Sequence, residues 1–238
     1  MKIAMWSGPR NLSTAMMFAF GARKDCHIWD EPFYAAYLHA TGLKHPMRAE
    51  ILAAGEQDPN KVIAACLAPP SDGKAVFFQK HMTQHMIAPI ERGWIDDMTN
   101  IFLIRDPARV IASYAAKREN PTLDDIGFRQ QVEIFDAICQ KTGSAPPVID
   151  SYAIRKDPEK ILRKLCAKIG LNYDPRMLHW PKGGHIASGV WQAHWYDAAE
   201  QSTGFAGPEG PTPSVPSTLQ DVWEGAQGYY EKIKKHAL

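Results

Sequence analysis

Residues 2–14 read KIAMWSGPRNLST, an apolar run that ends at a polar turn before apolar spacing resumes in AMMFAF, residues 15–20. This pattern predicts a short strand, a tight turn and the start of a helix. The free N–H groups of the first helical turn and the positive end of the helix dipole then point at one spot. We therefore expect the turn to bind a phosphate or another small anion.

The other apolar runs of the chain repeat the alternation of strand and helix. Strands are predicted at residues 27–29, 75–79, 100–104 and 147–149, and helices at residues 13–20, 60–67, 107–117, 123–141, 158–169 and 218–236. Several of the strand runs are apolar throughout, which indicates burial on both faces. We expect an α/β fold of three layers, in which helices flank a central, mostly parallel sheet.

One stretch departs from this alternation, because Gly183–Ser217 is rich in glycine, proline and serine. Long segments without periodicity are uncommon inside a domain and often form functional lids. We expect residues 1–238 to form a single domain with residues 183–217 as a candidate lid. Its His185 is either part of the lid or an ordinary loop residue. Its aromatic residues either stack on a ligand or pack a core; they are Trp191, Trp195, Tyr196 and Phe205.

The composition limits the partners of the protein. The formal net charge of +1 over 238 residues provides no broad positive field, so we expect neither nucleic acid nor an anionic membrane as a partner. No apolar run approaches the ~20 residues of a membrane span. Four isolated cysteines favour a reducing compartment, and we expect a cytoplasmic protein that binds a small ligand.

The turn after the first strand differs from the Walker A loop, GxxxxGK[ST]. It keeps Ser13 and Thr14 but lacks the second glycine and the lysine, and Pro9 removes one N–H donor. Arg10 can hold phosphate oxygens instead, with the two hydroxyl groups donating from the helix. The missing lysine argues against phosphoryl transfer from ATP. The plainer alternative is that Ser13 and Thr14 only cap the helix.

A second motif follows the predicted strand at residues 100–104, in RDPARVIASY, residues 105–114. Arg105 stands at the carboxyl end of the strand, and Ser113 lies two turns along the next helix. Because ligands of open parallel sheets bind outside the carboxyl ends of the strands, Arg105 and the Arg10 turn should face one site. The alternative is an ordinary ion pair of Arg105 with Asp106 or another carboxylate.

Together the two motifs resemble those of the sulfotransferases that use 3′-phosphoadenosine 5′-phosphosulfate (PAPS), which have a P-loop-like fold. The resemblance covers about residues 2–171, including IRKDPEKILRKLCAKIGL at residues 154–171, and departs from many members at Arg109, where they have aspartate. It implies that Arg105 and Ser113 bind the 3′-phosphate. It also implies that the first turn binds the 5′-phosphosulfate through Arg10, Asn11, Leu12, Ser13 and Thr14.

Sulfuryl transfer needs a base for the acceptor and positive charge at the leaving group. The resemblance implies that Glu31, in WDEPFYAAY at residues 29–37, is the base, with Asp30 and His81 as alternatives. The plainer alternative is that Asp30 and Glu31 cap the following helix. Lys80 is a candidate for the cation. His81 and His85 have the spacing of zinc ligands on a helix, but no third ligand accompanies them and we predict no metal.

These features predict a sulfotransferase that moves the sulfuryl group from PAPS to a hydroxyl or amine of a small-molecule acceptor, releasing adenosine 3′,5′-bisphosphate (PAP). One alternative is a non-catalytic nucleotide-binding protein of the same fold, which would bind PAP without transferring sulfate. The other is an atypical P-loop kinase or nucleotide hydrolase, which would bind ATP with magnesium.

Overall fold

The computed structural model describes residues 1–116, 120–183 and 188–238. Its strands are β1 (Lys2–Ser7), β2 (Cys26–Asp30), β3 (Val76–Met82), β4 (Thr99–Ile104) and β5 (Val148–Asp150). Its helices are α1 (Ser13–Gly21), α2 (Tyr34–Thr41), α3 (Arg48–Ala54), α4 (Pro59–Leu67), α5 (Pro107–Ala115), α6 (Leu123–Ile126), α7 (Phe128–Thr142), α8 (Ser151–Lys156), α9 (Pro158–Ile169), α10 (Gln192–Trp195), α11 (Asp197–Glu200) and α12 (Gln220–Lys234). None of these helices has the length and apolar composition of a membrane span.

The five strands form one parallel sheet in the order β2-β3-β1-β4-β5. Strand β1 is central: it pairs with β3 from Lys2↔Phe77 to Ser7↔Met82, and with β4 from Ile3↔Thr99 to Ser7↔Leu103. The chain leaves β1 first toward β2 and β3 and later toward β4 and β5. The carboxyl ends of β1 and β4 therefore flank the crevice in which open parallel sheets bind ligands.

Helices cover both faces of this sheet. Ile3 and Met5 of β1 pack with α1, α2, α8 and α9, whereas Ala4 and Trp6 face the opposite core under α4, α5, α7 and α12. All four side chains are fully buried, as the two-residue period of a doubly covered strand requires. The predicted three-layer α/β fold with a parallel sheet is confirmed.

The helices differ in detail from the sequence prediction. The helix expected over residues 123–141 is two helices, because Gly127 has a φ of +69° and separates α6 from α7. The helix expected after Asp30 and Glu31 is α2, but its N-cap is Phe33 and no side chain caps it. Its bounds were not predicted, since its residues 34–38 are all buried and give no amphipathic period. Helix α5 ends at Ala115, and the predicted end at Lys117 lies outside the described residues.

The four cysteines are free, and three of them are buried. Burial raises the pKa of Cys26 and of Cys66 to about 12, so both are thiols at neutral pH. Because the thiolate is the reactive form, these side chains serve the core rather than chemistry.

Two glycines provide a matched test of the packing around α7. Gly127 and Gly143 both have a φ of +69°, but a Cβ added at Gly127 would lie 2.6 Å from Thr83 Oγ1, whereas one at Gly143 would meet nothing within 4 Å. We expect Gly143→Ala to lower the free energy of unfolding by about 1 kcal/mol through backbone strain alone. Gly127→Ala should cost about 1–3 kcal/mol more, because Thr83 and α7 must separate. Urea denaturation measures both values, and equal losses would contradict this account.

Candidate active site

A cavity of about 320 Å³ opens at the carboxyl edge of the sheet. Its walls come from the turn after β1, the ends of β2, β3 and β4, helix α5 and the segment around α10 and α11. Most of the residues predicted from the motifs line it together: Arg10, Leu12, Ser13, Thr14, Glu31, Lys80, Arg105 and Ser113. Asn11 and His81 do not line the cavity.

The start of α1 presents free donors to this cavity. The first backbone hydrogen bond of the helix runs from Met16 N–H to Leu12 O, so the N–H groups of Ser13, Thr14 and Ala15 have no partner inside the helix. No side chain caps the helix at Leu12. These three N–H groups lie at the positive end of the helix dipole, the arrangement from which an anion site was predicted.

Asn11 fastens the turn to neighbouring elements. It is buried, and its Nδ2 donates to Leu103 O at 3.2 Å. Its own carbonyl oxygen accepts from Ser151 Oγ at 2.6 Å. The turn is thereby tied to β4 and to the start of α8.

The two predicted phosphate motifs contact each other directly. Arg10 Nε donates to Ser113 Oγ at 2.9 Å, and Arg105, 95 residues further along the chain, donates to Arg10 O at 2.7 Å. Burial, with Arg105 adding like charge, lowers the pKa of Arg10 from its usual range. Asp106 does not pair with Arg105 in this structure but caps α5 by accepting from Ala108 N–H at 2.9 Å. One end of the cavity is thus cationic.

A carboxylate from the C-terminal segment reaches this cationic end. Glu209 pairs with Arg105, with Arg109 at 3.2 Å and with Arg155 at 2.8 Å. The sequence also allowed an ordinary ion pair of Arg105 with Asp106 or another carboxylate. In the structure Arg105 does form an ion pair, and its partner is Glu209.

The other end of the cavity contains an enclosed cluster of charges. Lys80 Nζ lies 2.7 Å from Asp30 Oδ1 and 2.8 Å from Glu31 Oε1, and it also contacts the hydroxyl of Tyr196. Burial by itself lowers the pKa of Lys80, but the two carboxylates outweigh it and the net shift is upward. Lys80 is therefore a protonated ammonium with an exposed side-chain fraction of 1%.

Glu31 is the carboxylate of this cluster that reaches the cavity. Burial raises its pKa, Lys80 opposes this effect, and the nearby Asp30 adds to it, with a net upward shift. The residue also has a φ of 43°. Of the five non-glycine residues with positive φ in the described ranges, Glu31, Arg10 and Leu12 all line the cavity. Such backbone costs about 1–3 kcal/mol per residue and clusters at functional sites.

The two histidines of the predicted pair lie in different surroundings. His81, in β3, is buried and stacks on Trp6 with 4.7 Å between ring centroids, and burial lowers its pKa to about 3. A neutral ring with that pKa is a weak base. His85 lines the cavity instead, with Nε2 4.0 Å from Glu31 Oε2. Because His81 is in a strand, the helical spacing of zinc ligands is not formed. His185 lies outside the described residues.

The cavity also contains residues that the motifs did not single out. Arg155 follows β5, so the rule that ligands bind at carboxyl ends of strands could have identified it. No pattern in the sequence identifies Glu209 as a residue of the cavity, because it lies in an irregular segment. Among the aromatic residues of the candidate lid, Trp195 and Tyr196 line the cavity, whereas Phe205 packs on Trp180.

Comparisons with known proteins agree with this architecture. The sequence model of the sulfotransferase domain matches residues 1–237. Two Arabidopsis thaliana proteins, named branched-chain-amino-acid aminotransferase-like protein 2 and protein 1, are 31% and 32% identical over 234 residues, or 98% of this chain. The chain spans 41% and 42% of the length of these relatives, whose names describe the longer proteins.

Two solved structures share the fold. The sulfotransferase domain of the Synechococcus PCC 7002 olefin synthase has a TM-score of 0.56 at 13% identity, covering 94% of this chain and 93% of its own. A sulfotransferase from Alicyclobacillus acidocaldarius has a TM-score of 0.56 at 10% identity, covering 98% and 94%. The resemblance inferred from the two motifs is confirmed by the family match over nearly all of the sequence, and the chain belongs to the sulfotransferase domain family.

Proposed function

We propose that the protein transfers the sulfuryl group of PAPS to a hydroxyl or amine of a small molecule. The observation that carries this proposal is the direct contact between the two motifs, in which Arg10 reaches Ser113 and Arg105 reaches the backbone of Arg10. PAPS bears phosphate groups on both its 5′ and 3′ positions, and two adjoining cationic sites suit such a donor.

The unpaired polar groups of the site fit a nucleotide. The N–H groups of Ser13, Thr14 and Ala15 have no partner within α1, and Arg105 Nε is buried without a hydrogen-bond partner among the described residues. Buried donors are normally satisfied, so each of these groups favours an anionic ligand. We assign the 5′-phosphosulfate to the turn and the 3′-phosphate to Arg105 and Ser113.

In the transfer, the acceptor oxygen or nitrogen bonds to sulfur while the bond from sulfur to the 5′-phosphate oxygen breaks and PAP leaves. Glu31 takes the proton of the acceptor, and its raised pKa makes it a stronger base than an exposed carboxylate. Arg10 and the start of α1 offset the charge that develops on the departing phosphate.

Lys80 has a supporting role in this scheme. Its ammonium group is engaged by Asp30, Glu31 and Tyr196, so it holds the base in position rather than facing the leaving group. The acceptor would enter near Glu31, where Tyr34, Tyr37 and His45 provide aromatic walls for a small ring or sugar.

Replacement of Arg105 tests the nucleotide assignment. We expect Arg105→Ala to weaken PAP binding about 100-fold, since charge-assisted hydrogen bonds to the 3′-phosphate are lost. Adenosine 5′-phosphosulfate, which lacks that phosphate, should lose much less affinity, a small loss being expected because Arg105 also donates to Arg10 O in the turn. Calorimetric titration in EDTA measures both affinities, with Arg163→Ala on α9 as the exposed control. A preference for magnesium-ATP, or equal losses for both nucleotides, would overturn the assignment.

Replacement of Glu31 tests the base. Glu31→Gln should lower kcat by about 10²–10⁴-fold, because the amide accepts no proton, while PAP affinity stays unchanged. In the wild type, kcat should fall as the pH drops through the raised pKa of Glu31, at a higher pH than for an ordinary glutamate. PAP release from PAPS with a panel of alcohols and amines measures turnover, and Glu231→Gln on α12 is the control. Parallel loss of turnover and PAP affinity would instead indicate a structural role.

A further inference from the structure

Three arginines from separate elements converge on one carboxylate at the cationic end of the cavity. Arg155 NH1 lies 2.8 Å from Glu209 Oε1, Arg109 Nε lies 3.2 Å from Glu209 Oε2, and Arg105 also pairs with Oε1. The Glu209 side chain is only 2% exposed, whereas the arginine side chains are 12–20% exposed. A single negative charge therefore occupies a pocket with three positive charges.

Glu209 belongs to an exposed strap, defined here as residues 206–212. Every residue of the strap except Glu209 is exposed, and the strap contains neither helix nor strand. Its backbone is held by the same arginines, since Arg155 donates to Gly207 O at 2.8 Å and Arg109 donates to Gly210 O at 2.6 Å. Ionic contacts and hydrogen bonds, and not burial of apolar side chains, keep the strap in place.

The carboxylate satisfies this pocket only in part. Arg105 Nε and Glu209 Oε2 are both buried, and neither has a hydrogen-bond partner in the described part of the chain. Arg109 faces Oε2 as an ion pair without hydrogen-bond geometry. A phosphate monoester has more acceptor oxygens and about twice the charge of a carboxylate, so it can engage the three guanidinium groups more completely.

We propose that Arg105, Arg109 and Arg155 together form a site for a phosphate monoester, and that Glu209 occupies it until the ligand displaces the strap. This adds Arg109 and Arg155 to the binding residues and makes Glu209 the residue that sets the affinity. The identity of the phosphate as the 3′-phosphate of the donor rests on the proposed function, whereas the site itself rests on the contacts above.

Displacement has a measurable consequence. A ligand that binds only the open form shows an affinity reduced by the fraction of molecules that are open. A tethered carboxylate competes at an effective concentration in the millimolar range, so removing its charge should tighten ligand binding by about tenfold or more.

The test compares Glu209→Gln and Glu209→Ala with the wild type by calorimetric titration of PAP and of pyrophosphate. Both variants should bind both ligands about tenfold more tightly, with a smaller change for adenosine 5′-monophosphate, which lacks the second phosphate. Glu224→Gln, an exposed carboxylate on α12, is the matched control and should change nothing. Unchanged or weaker pyrophosphate binding in the Glu209 variants overturns the inference.

Hydrogen exchange of peptides covering residues 204–214 provides a readout of the strap itself. PAP or pyrophosphate should speed exchange there in the wild type, and Glu209→Gln should show fast exchange without ligand. Slower exchange on ligand binding would mean that the strap closes over the ligand and would overturn displacement. One further outcome separates the two proposals. If Glu209→Gln binds pyrophosphate more tightly but neither the wild type nor any variant binds PAP, the phosphate site is supported and the proposed PAPS donor is wrong.

Discussion

The candidate site depends on the hydrogen bonds that hold the turn after β1 in a left-handed conformation. Arg10 and Leu12 both have positive φ, and Asn11 between them is fastened to Leu103 O and to Ser151. Arg105 donates to the Arg10 carbonyl from the end of β4. Contacts with the end of β4 and the start of α8 thus hold the turn that faces the cavity.

The cavity separates two clusters of opposite net charge. Three arginines surround Glu209 at one end, and two carboxylates surround Lys80 at the other. Burying an ion cluster of this kind adds little to stability, because the cost of desolvation offsets the attraction between the charges. The arrangement suits the proposed reaction, in which an anionic donor would lie at the positive end and a proton would be accepted at the negative end.

The sequence predicted those parts of the molecule that local patterns specify. All five strands, and the approach of Arg105 to the Arg10 turn, follow from apolar runs and strand ends. The wrong parts depend on three-dimensional surroundings. Gly127 splits a helix through its φ of +69° at a position that Thr83, more than 40 residues away, contacts. Helix α2 lacks a period because its residues 34–38 are all buried.

The site residues were harder to predict for the same reason. Neighbouring positions of β3 point to opposite faces of the sheet, so Lys80 reaches the charge cluster while His81 enters an aromatic core. The alternation of side chains along a strand does not indicate which face of the sheet carries the site. Glu209 lies about 100 residues from Arg105 in an irregular segment, so no periodicity relates the two.

The C-terminal segment contacts both charge clusters through polar groups. Tyr196 reaches Asp30 and Lys80 at one end, Trp195 O accepts from Arg10 at 3.3 Å, and Glu209 pairs with the arginines at the other. Each contact is made to a residue that the proposed reaction also needs. Under the proposed displacement, an anion that competes for the arginines would loosen the Glu209 contact and leave the contacts of Tyr196 with Asp30 and Glu31 intact. The proposed donor would then enter at one end while Glu31 stays enclosed at the other.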